Sequence, residues 1–265
     1  MKIGIIGGTG WLGRLISKCL LKSGVVSAGE LILSNRSGSF ASSPELKNHA
    51  RITTDNQALA DDSDMIILSV LPHQFPQLNI DAAYKLVISV MSGVNVARLQ
   101  QAVQSRKIVR AMPNIAIEIQ ESFTPWFCEV DLTALETEQM ITLLNSFGIS
   151  ERVYSEQAID FLTALTGSGQ GSLAFFEMAF IQSAVQHGID EATALKAVKQ
   201  LFFGISAFLR SHHQHPQEDV KKLIDYAGTT AAILLEMQRS GLAEKIATAI
   251  DKGYLKASKG MTQES

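Results

Sequence analysis

Six residues near the start of the chain, Gly8-Thr9-Gly10-Trp11-Leu12-Gly13, have the types and spacing of a phosphate-cradling turn. Glycines at these three places permit a tight turn, close approach of the backbone to a pyrophosphate, and close packing of the next helix. The N-terminus of that helix then faces the anion. The pattern follows the apolar run Ile3-Gly4-Ile5-Ile6 and opens a helical stretch from Trp11 to Ser23, which is the context the motif needs. Gly7 adds one further glycine before it. Gly8, Thr9, Gly10, Trp11, Leu12 and Gly13 are therefore candidate contacts to a dinucleotide.

The end of the second strand selects the nucleotide. A site for NAD places an acidic residue there to hold the ribose hydroxyls. This chain has Ser34-Asn35-Arg36-Ser37 and no carboxylate. Arg36 can stack on or pair with a phosphate, and the two hydroxyls and the Asn35 amide can donate hydrogen bonds to it. The residue types favour NADP(H) over NAD(H); a solvated turn is the alternative account of the same four residues. Later strand ends should complete the cleft, because ligands of such sheets sit outside the carboxyl ends of the strands. The candidates are Val70-Leu71-Pro72, Ser92-Gly93, and Pro113-Asn114 after Met112.

The elements that must carry these residues follow from the hydrophobic pattern. Lys2 to Gly7, Glu30 to Ser34, Asp64 to Val70, Lys85 to Val90 and Lys107 to Met112 are nearly continuous apolar runs with helical patterns between them. A parallel sheet covered on both faces requires that arrangement. Ser122 to Cys128 adds a candidate strand, and Thr133 to Phe147 a helix. Beyond about residue 155 the strand signals stop. Ala158 to Leu165, Ser172 to Gln186, Asp190 to Arg210, Thr229 to Arg239 and Leu242 to Lys259 carry apolar residues at helical spacing. The expected fold is α/β: a Rossmann-type doubly wound, mostly parallel sheet over residues 1–152, then an all-helical domain over residues 153–265.

Composition narrows the function. The chain has 265 residues, 46% of them hydrophobic, and a net charge of −3, which offers no broad basic surface for nucleic acid. Two cysteines, Cys19 and Cys128, are too few and too scattered for a metal cage or disulfide framework, so no metal is expected. No apolar run is expected to reach the roughly 20 residues that cross a bilayer. The expected setting is the cytoplasm, with no membrane partner.

By these pieces the chain resembles the pyrroline-5-carboxylate reductase family over nearly its whole length. The matching segments are Ser34-Asn35-Arg36-Ser37, Asp55-Asn56, Val109 to Asn114, Leu165-Thr166-Gly167-Ser168-Gly169, His215-Pro216 and Ala227-Gly228-Thr229-Thr230. The resemblance implies NADPH-dependent reduction of a cyclic imine, 1-pyrroline-5-carboxylate, to proline. It also implies that Asn56 holds the adenosine end of the cofactor, and that the enzyme is a homodimer through its C-terminal helices, in some members a larger ring. Ser168, Gly228, Thr229 and Thr230 would bind the substrate, with the Thr230 hydroxyl as the implied proton donor and Ser168 second. The loop before the helix Thr229 to Arg239 would offer backbone N–H groups to a carboxylate; simple capping is the other account of the two threonines. This chain departs from the family pattern at Gly7, at Leu71 where lysine is usual, and at Gln170-Gly171 where Pro-Ala is usual. It also reads Asp225-Tyr226-Ala227 where Ser-Pro-Gly is usual, which adds negative charge and bulk beside the substrate.

Hydride transfer to a C=N carbon needs orientation and exclusion of water more than a strong acid, so no histidine–carboxylate pair is expected. His212, His213 and His215 lie between helices beside a proline, without spaced acidic or cysteine partners, and read as solvated loop residues. His73 follows the cleft proline. A hydroxyacid dehydrogenase of similar plan would place a lysine base on the long helix after the linker, and Gly167 to Gln186 contains no lysine. Two alternatives stay open: a non-catalytic NADPH-binding homologue, and a reductase of a different cyclic imine.

Overall fold

Short runs of isoleucine, leucine and valine become the central strands because both faces of the sheet are covered. In the computed structural model, which describes residues 1–212 and 214–259, the strands are β1 (Ile3–Ile6), β2 (Leu31–Ser34), β3 (Arg51–Thr53), β4 (Met65–Leu68), β5 (Leu86–Ser89), β6 (Ile108–Ala111), β7 (Ser122–Cys128) and β8 (Gly148–Arg152). They form one sheet of order β3-β2-β1-β4-β5-β6-β7-β8. All neighbours run parallel except β6 and β7. Successive residues point to opposite faces, so Ile3 and Ile5 enter one buried cluster with Leu31, Leu33 and Ile67, while Ile6 enters the other with Ile32, Ile66 and Leu68.

Helices α1 (Trp11–Lys22), α2 (Asn56–Asp61), α3 (Val96–Val103) and α4 (Ala134–Asn145) link the strands. Each starts where its sequence allows. Asp55 caps α2, Asn95 caps α3, and Thr133 with Glu136 makes a reciprocal capping box on α4. The strands β3 and β8, absent from the expected set, are the two edges of the sheet and carry Arg51, Glu151 and Arg152 instead of an apolar run. Charged edges of this kind resist pairing with other chains and leave little hydrophobic signal.

After β8 the chain is helical: α5 (Glu156–Leu162), a π-helical turn (Thr163–Gly167), α6 (Gly169–Gln186), α7 (Glu191–Ser211), α8 (Pro216–Asp225), α9 (Thr229–Arg239) and α10 (Leu242–Lys259). The chain forms two compact units, Met1–Ser168 with the segment from Lys252 onward, and Gly169–Asp251. Within the first unit, Phe161 and Tyr254 meet edge-to-face at 6.0 Å, and a Cβ on Gly253 would lie 3.1 Å from that of Ala164, so the end of α10 packs against the π-turn.

In the second unit α6 has no buried residue, and Phe175 and Phe203 are 63% and 72% exposed. No uninterrupted apolar run approaches roughly 20 residues in α7, which Lys196 and Lys199 break. Helix α7 runs unbroken through Gly204 for 21 residues and reaches a mean hydropathy of 1.2, enough to cross a membrane by length and composition only. Apolar residues on every side of α6, and one apolar face of α7, suit packing against further protein surface.

Candidate active site

The dinucleotide turn sits where the strand order reverses, with β1 flanked by β2 on one side and β4 on the other. Backbone N–H groups of Gly7 and Gly8 both donate to the Ser34 carbonyl, at 3.0 and 3.2 Å, and Gly10 donates to the Gly7 carbonyl at 3.0 Å. Gly7 adopts φ +82°, a conformation that favours glycine. Gly13 allows close packing: a Cβ there would lie 2.5 Å from the Gly7 oxygen and 2.8 Å from the Gly8 Cα. The following helix therefore rests directly on the turn. Gly10 caps α1 without any side-chain acceptor, so the first-turn N–H groups of Trp11, Leu12 and Gly13 stay available to an anion. Trp11 is 53% exposed beside them.

The end of β2 organises the neighbouring loop. Arg36 is exposed and makes no ion pair with any described residue. Asn35 does not behave as expected from the sequence. Its Nδ2 donates to Thr9 Oγ1 at 2.8 Å and to the Ser39 carbonyl at 2.7 Å, so neither amide hydrogen is left for a phosphate. Its Oδ1 accepts from the backbone N–H groups of Ser37 and Gly38 at 3.2 and 2.7 Å. Asn35 thus ties the glycine turn to the loop bearing Arg36. Ser34 is likewise used internally: its buried hydroxyl donates to Asn56 Oδ1 at 2.6 Å, which leaves the Asn56 NH2 free of partners among the described residues.

The carboxyl ends of β4, β5 and β6 share the edge of β1 and β2 because these strands are parallel. Val70, Leu71 and Pro72 follow β4, Ser92 and Gly93 follow β5, and Pro113 and Asn114 follow β6. Leu71 is 57% exposed. Asn114 accepts from the Ala116 N–H at 3.0 Å through its side chain and donates its own N–H to Ser122 Oγ at 2.9 Å, which fixes the turn into β7. The structure thus gathers the cofactor-cleft candidates on one edge of the sheet. It also reveals a group that was not singled out from the sequence: Arg110 on β6, 1% exposed, with Glu156 and Asp160 of α5. The available signal was a charged residue inside an apolar strand.

In the second unit, α8 ends at Asp225, Tyr226 and Ala227 turn the chain, with Ala227 at φ +57°, and α9 starts at Thr229. Gly228 is the N-cap, and no side chain caps the helix. The hydroxyls of Thr229 and Thr230 therefore do not serve as caps, and the first-turn N–H groups lack internal acceptors. The Tyr226 ring, 85% exposed, lies on Gly228, with its carbons 3.3 and 3.4 Å from where a Cβ would stand. Ser168 ends the first unit, exposed, with its N–H donated to the Thr163 carbonyl at 3.1 Å.

His212 stacks on Phe208 with ring centroids 3.9 Å apart, and His215 caps α8 by accepting from the Gln217 N–H at 3.3 Å. His213 lies outside the described residues. Among the described residues, no group of three or more histidine, cysteine or acidic side chains could hold a metal. Burial pushes the Cys19 and Cys128 thiols up, so neither is poised as a thiolate.

Similarity to known proteins extends over nearly the whole chain. The family profile described as pyrroline-5-carboxylate reductase dimerisation matches residues 156–260, and that described as NADP oxidoreductase coenzyme F420-dependent matches residues 2–93. A pyrroline-5-carboxylate reductase of Methanosarcina acetivorans is 27% identical over 255 residues, 94% of each chain. The crystal structure of 1-pyrroline-5-carboxylate reductase from Streptococcus pyogenes is 30% identical, with a TM-score of 0.81 over 97% of this chain and 98% of that one. The Plasmodium falciparum pyrroline carboxylate reductase with NADP bound shares the fold, at TM-score 0.79 and 20% identity over 97% of both chains. With an eight-stranded Rossmann-type sheet, an uncapped helix α9 after Gly228, and a 30% match to the Streptococcus pyogenes reductase over 97% of its length, the chain belongs to the pyrroline-5-carboxylate reductase family.

Proposed function

We propose that this protein reduces 1-pyrroline-5-carboxylate to proline with NADPH as the hydride donor. The observation that carries the proposal is the 30% identity to the Streptococcus pyogenes reductase over 97% of the chain. The residues present fit the cofactor: Gly13 leaves a cradle that a Cβ would fill, and Arg36 is an unpaired cation where a 2′-phosphate would sit. That Arg36, with no carboxylate at the end of β2, supports NADP(H) over NAD(H). Bound NADPH supplies a hydride to the C=N carbon.

The chain's own residues bind, orient and move the proton. Backbone N–H groups of Thr229 and Thr230 at the uncapped start of α9 receive the substrate carboxylate, aided by Gly228, which adds no side chain there. The Thr230 hydroxyl delivers a proton to the ring nitrogen, with Ser168 the second candidate donor. Imine, NADPH and one proton together become proline and NADP+. Residues 1–152 act as the cofactor domain and 153–265 as the substrate and dimerisation domain. The exposed apolar faces of α6 and α7 support a homodimer through these helices, and assembly into a larger ring extends the same reading. The cytoplasm is the compartment that suits two free buried thiols.

A different cyclic imine is the second reading, favoured by the Tyr226 ring lying on Gly228 and by the Asp225 carboxylate at the end of α8. Steady-state assays with pyrroline-5-carboxylate, six-membered imino acids and sulfur-containing cyclic imines separate the two. The first reading expects the highest kcat/KM on pyrroline-5-carboxylate. A Thr230→Ala variant should lose about 10²-fold in kcat, the usual weight of a positioned proton donor. Turnover left intact would remove Thr230 from that role.

A further inference from the structure

Arg110 is the one charged side chain that is buried among the described residues. Its two terminal nitrogens diverge. Nη1 donates to Glu156 Oε1 and Nη2 to Asp160 Oδ1, each at 2.9 Å, while its Nε has no partner. The same Glu156 Oε1 accepts the backbone N–H of Val96 at 2.7 Å. Val96 is the first residue of α3 and Glu156 the first of α5, so this carboxylate stands at two helix N-termini. Both ends favour negative charge, which offsets the surplus of two carboxylates over one guanidinium.

One charged centre therefore joins three pieces of the first unit. Strand β6 leads through Met112 to Pro113 and Asn114. Helix α3 starts directly after the turn holding Ser92 and Gly93. Helix α5 runs into the π-turn that leads to Ser168. A buried ion pair contributes little net stability over well-packed apolar residues, but its fork geometry fixes the register of what it joins.

We propose that Arg110 is a positioning residue for hydride transfer: through Glu156 and Asp160 it sets the Ser92–Gly93, Pro113–Asn114 and Ser168 turns in register with one another. The proposal rests on the reductase reading, since it assigns these turns to the reacting ends of cofactor and substrate. Loss of the Glu156 acceptor lets α3 and α5 shift against β6. A displacement approaching 1 Å in such groups slows chemistry by about tenfold to 10²-fold while leaving distant cofactor contacts intact.

The test is single-turnover hydride transfer at saturating NADPH and imine, with NADPH affinity measured in parallel. Glu156→Ala should slow the transfer by about tenfold or more with NADPH affinity within about twofold. Glu156→Gln keeps the Oε1 acceptor for both donors and should recover most of that loss. Val96→Pro removes one N–H at the first position of a helix, where proline is tolerated, and should slow transfer without disturbing Arg110. It decides the matter if Glu156→Ala fails to fold. Wild-type transfer rates in Glu156→Ala and Val96→Pro, or a Glu156→Gln enzyme as slow as Glu156→Ala, would overturn the proposal. If the wild type reduces no imine, the reductase reading fails on its own, and hydrogen exchange reads the clamp instead. Exchange should then quicken in peptides spanning residues 92–98 and 160–168 in Glu156→Ala and recover in Glu156→Gln; unchanged exchange overturns it.

Discussion

A methyl group at position 13 is the sharpest test of how the dinucleotide turn is built. The Cβ of Gly13→Ala would lie 2.5 Å from the Gly7 oxygen, about 0.9 Å inside the 3.4 Å at which ordinary contacts begin. It would also lie 2.8 Å from the Gly8 Cα. Both neighbours are backbone and neither moves freely. Gly7 and Gly8 are hydrogen-bonded to the Ser34 carbonyl, and the Gly7 oxygen accepts from Gly10. Relief requires α1 to back away or the turn to open, at about 2–3 kcal/mol of overpacking and distorted hydrogen bonds. If that distortion falls on the cofactor-bound state, NADPH binding weakens about 30- to 150-fold. If it falls on the free protein instead, thermal unfolding records it as a lower Tm. Fluorescence titration with NADPH, paired with a melting curve, separates these two. A Gly13→Ala protein with wild-type affinity and wild-type Tm would refute the packing argument. Gly10→Ala, with one contact at 3.1 Å, should cost much less.

Other perturbations address the remaining parts. Arg36→Ala should weaken NADPH by about tenfold to 10²-fold, the weight of a charge-assisted hydrogen bond, and NADH by less than about threefold. Equal losses would contradict the 2′-phosphate assignment. Asp62 is held down to about 2 by hydrogen bonds from Lys2 and then Arg51, and Lys107 followed by Thr133 lowers Glu136 in the same way. For depressed carboxyls the stabilisation is present above the usual carboxylate range near about 4 and disappears as the pH falls toward the folded value. Tm should therefore drop between about pH 4 and 2, and a Lys2→Met, Arg51→Met protein should show a shallower drop; an identical slope would count against it. Phe203→Glu places a charge on a side chain 72% exposed in the single chain and should yield a monomer in sedimentation velocity. A persistent dimer would remove α7 from the interface.

The central sheet was legible because strands covered on both faces need unbroken apolar runs, as in Met65–Leu68 and Leu86–Ser89. Strand β7 occupies the bounds expected from its residues, Ser122–Cys128, but its direction was not in its composition. It runs antiparallel to β6 because the short link through Asn114 and the turn Ile115–Ile119 cannot make a crossover. Helix α8 leaves a weak hydrophobic signal because its apolar residues, Val220, Leu223 and Ile224, are few, although Pro216 and the acidic first turn mark a helix start. In the cleft, residue types announced the nucleotide, whereas hydrogen-bond assignments did not follow from types. Asn35 looks like a phosphate ligand in sequence, yet Thr9 and Ser39 take both its amide hydrogens. Arg110 demanded a partner as a charge in an apolar strand, but Glu156 and Asp160 lie 46 and 50 positions away, a distance only the fold closes.

Product stoichiometry with 1-pyrroline-5-carboxylate tests the proposed reaction most directly. The purified protein should form one proline for each NADPH oxidised, with a higher kcat/KM than on any other cyclic imine and a clear preference for NADPH over NADH. Tight NADPH binding without proline formation, or with faster turnover of a different imine, would contradict it.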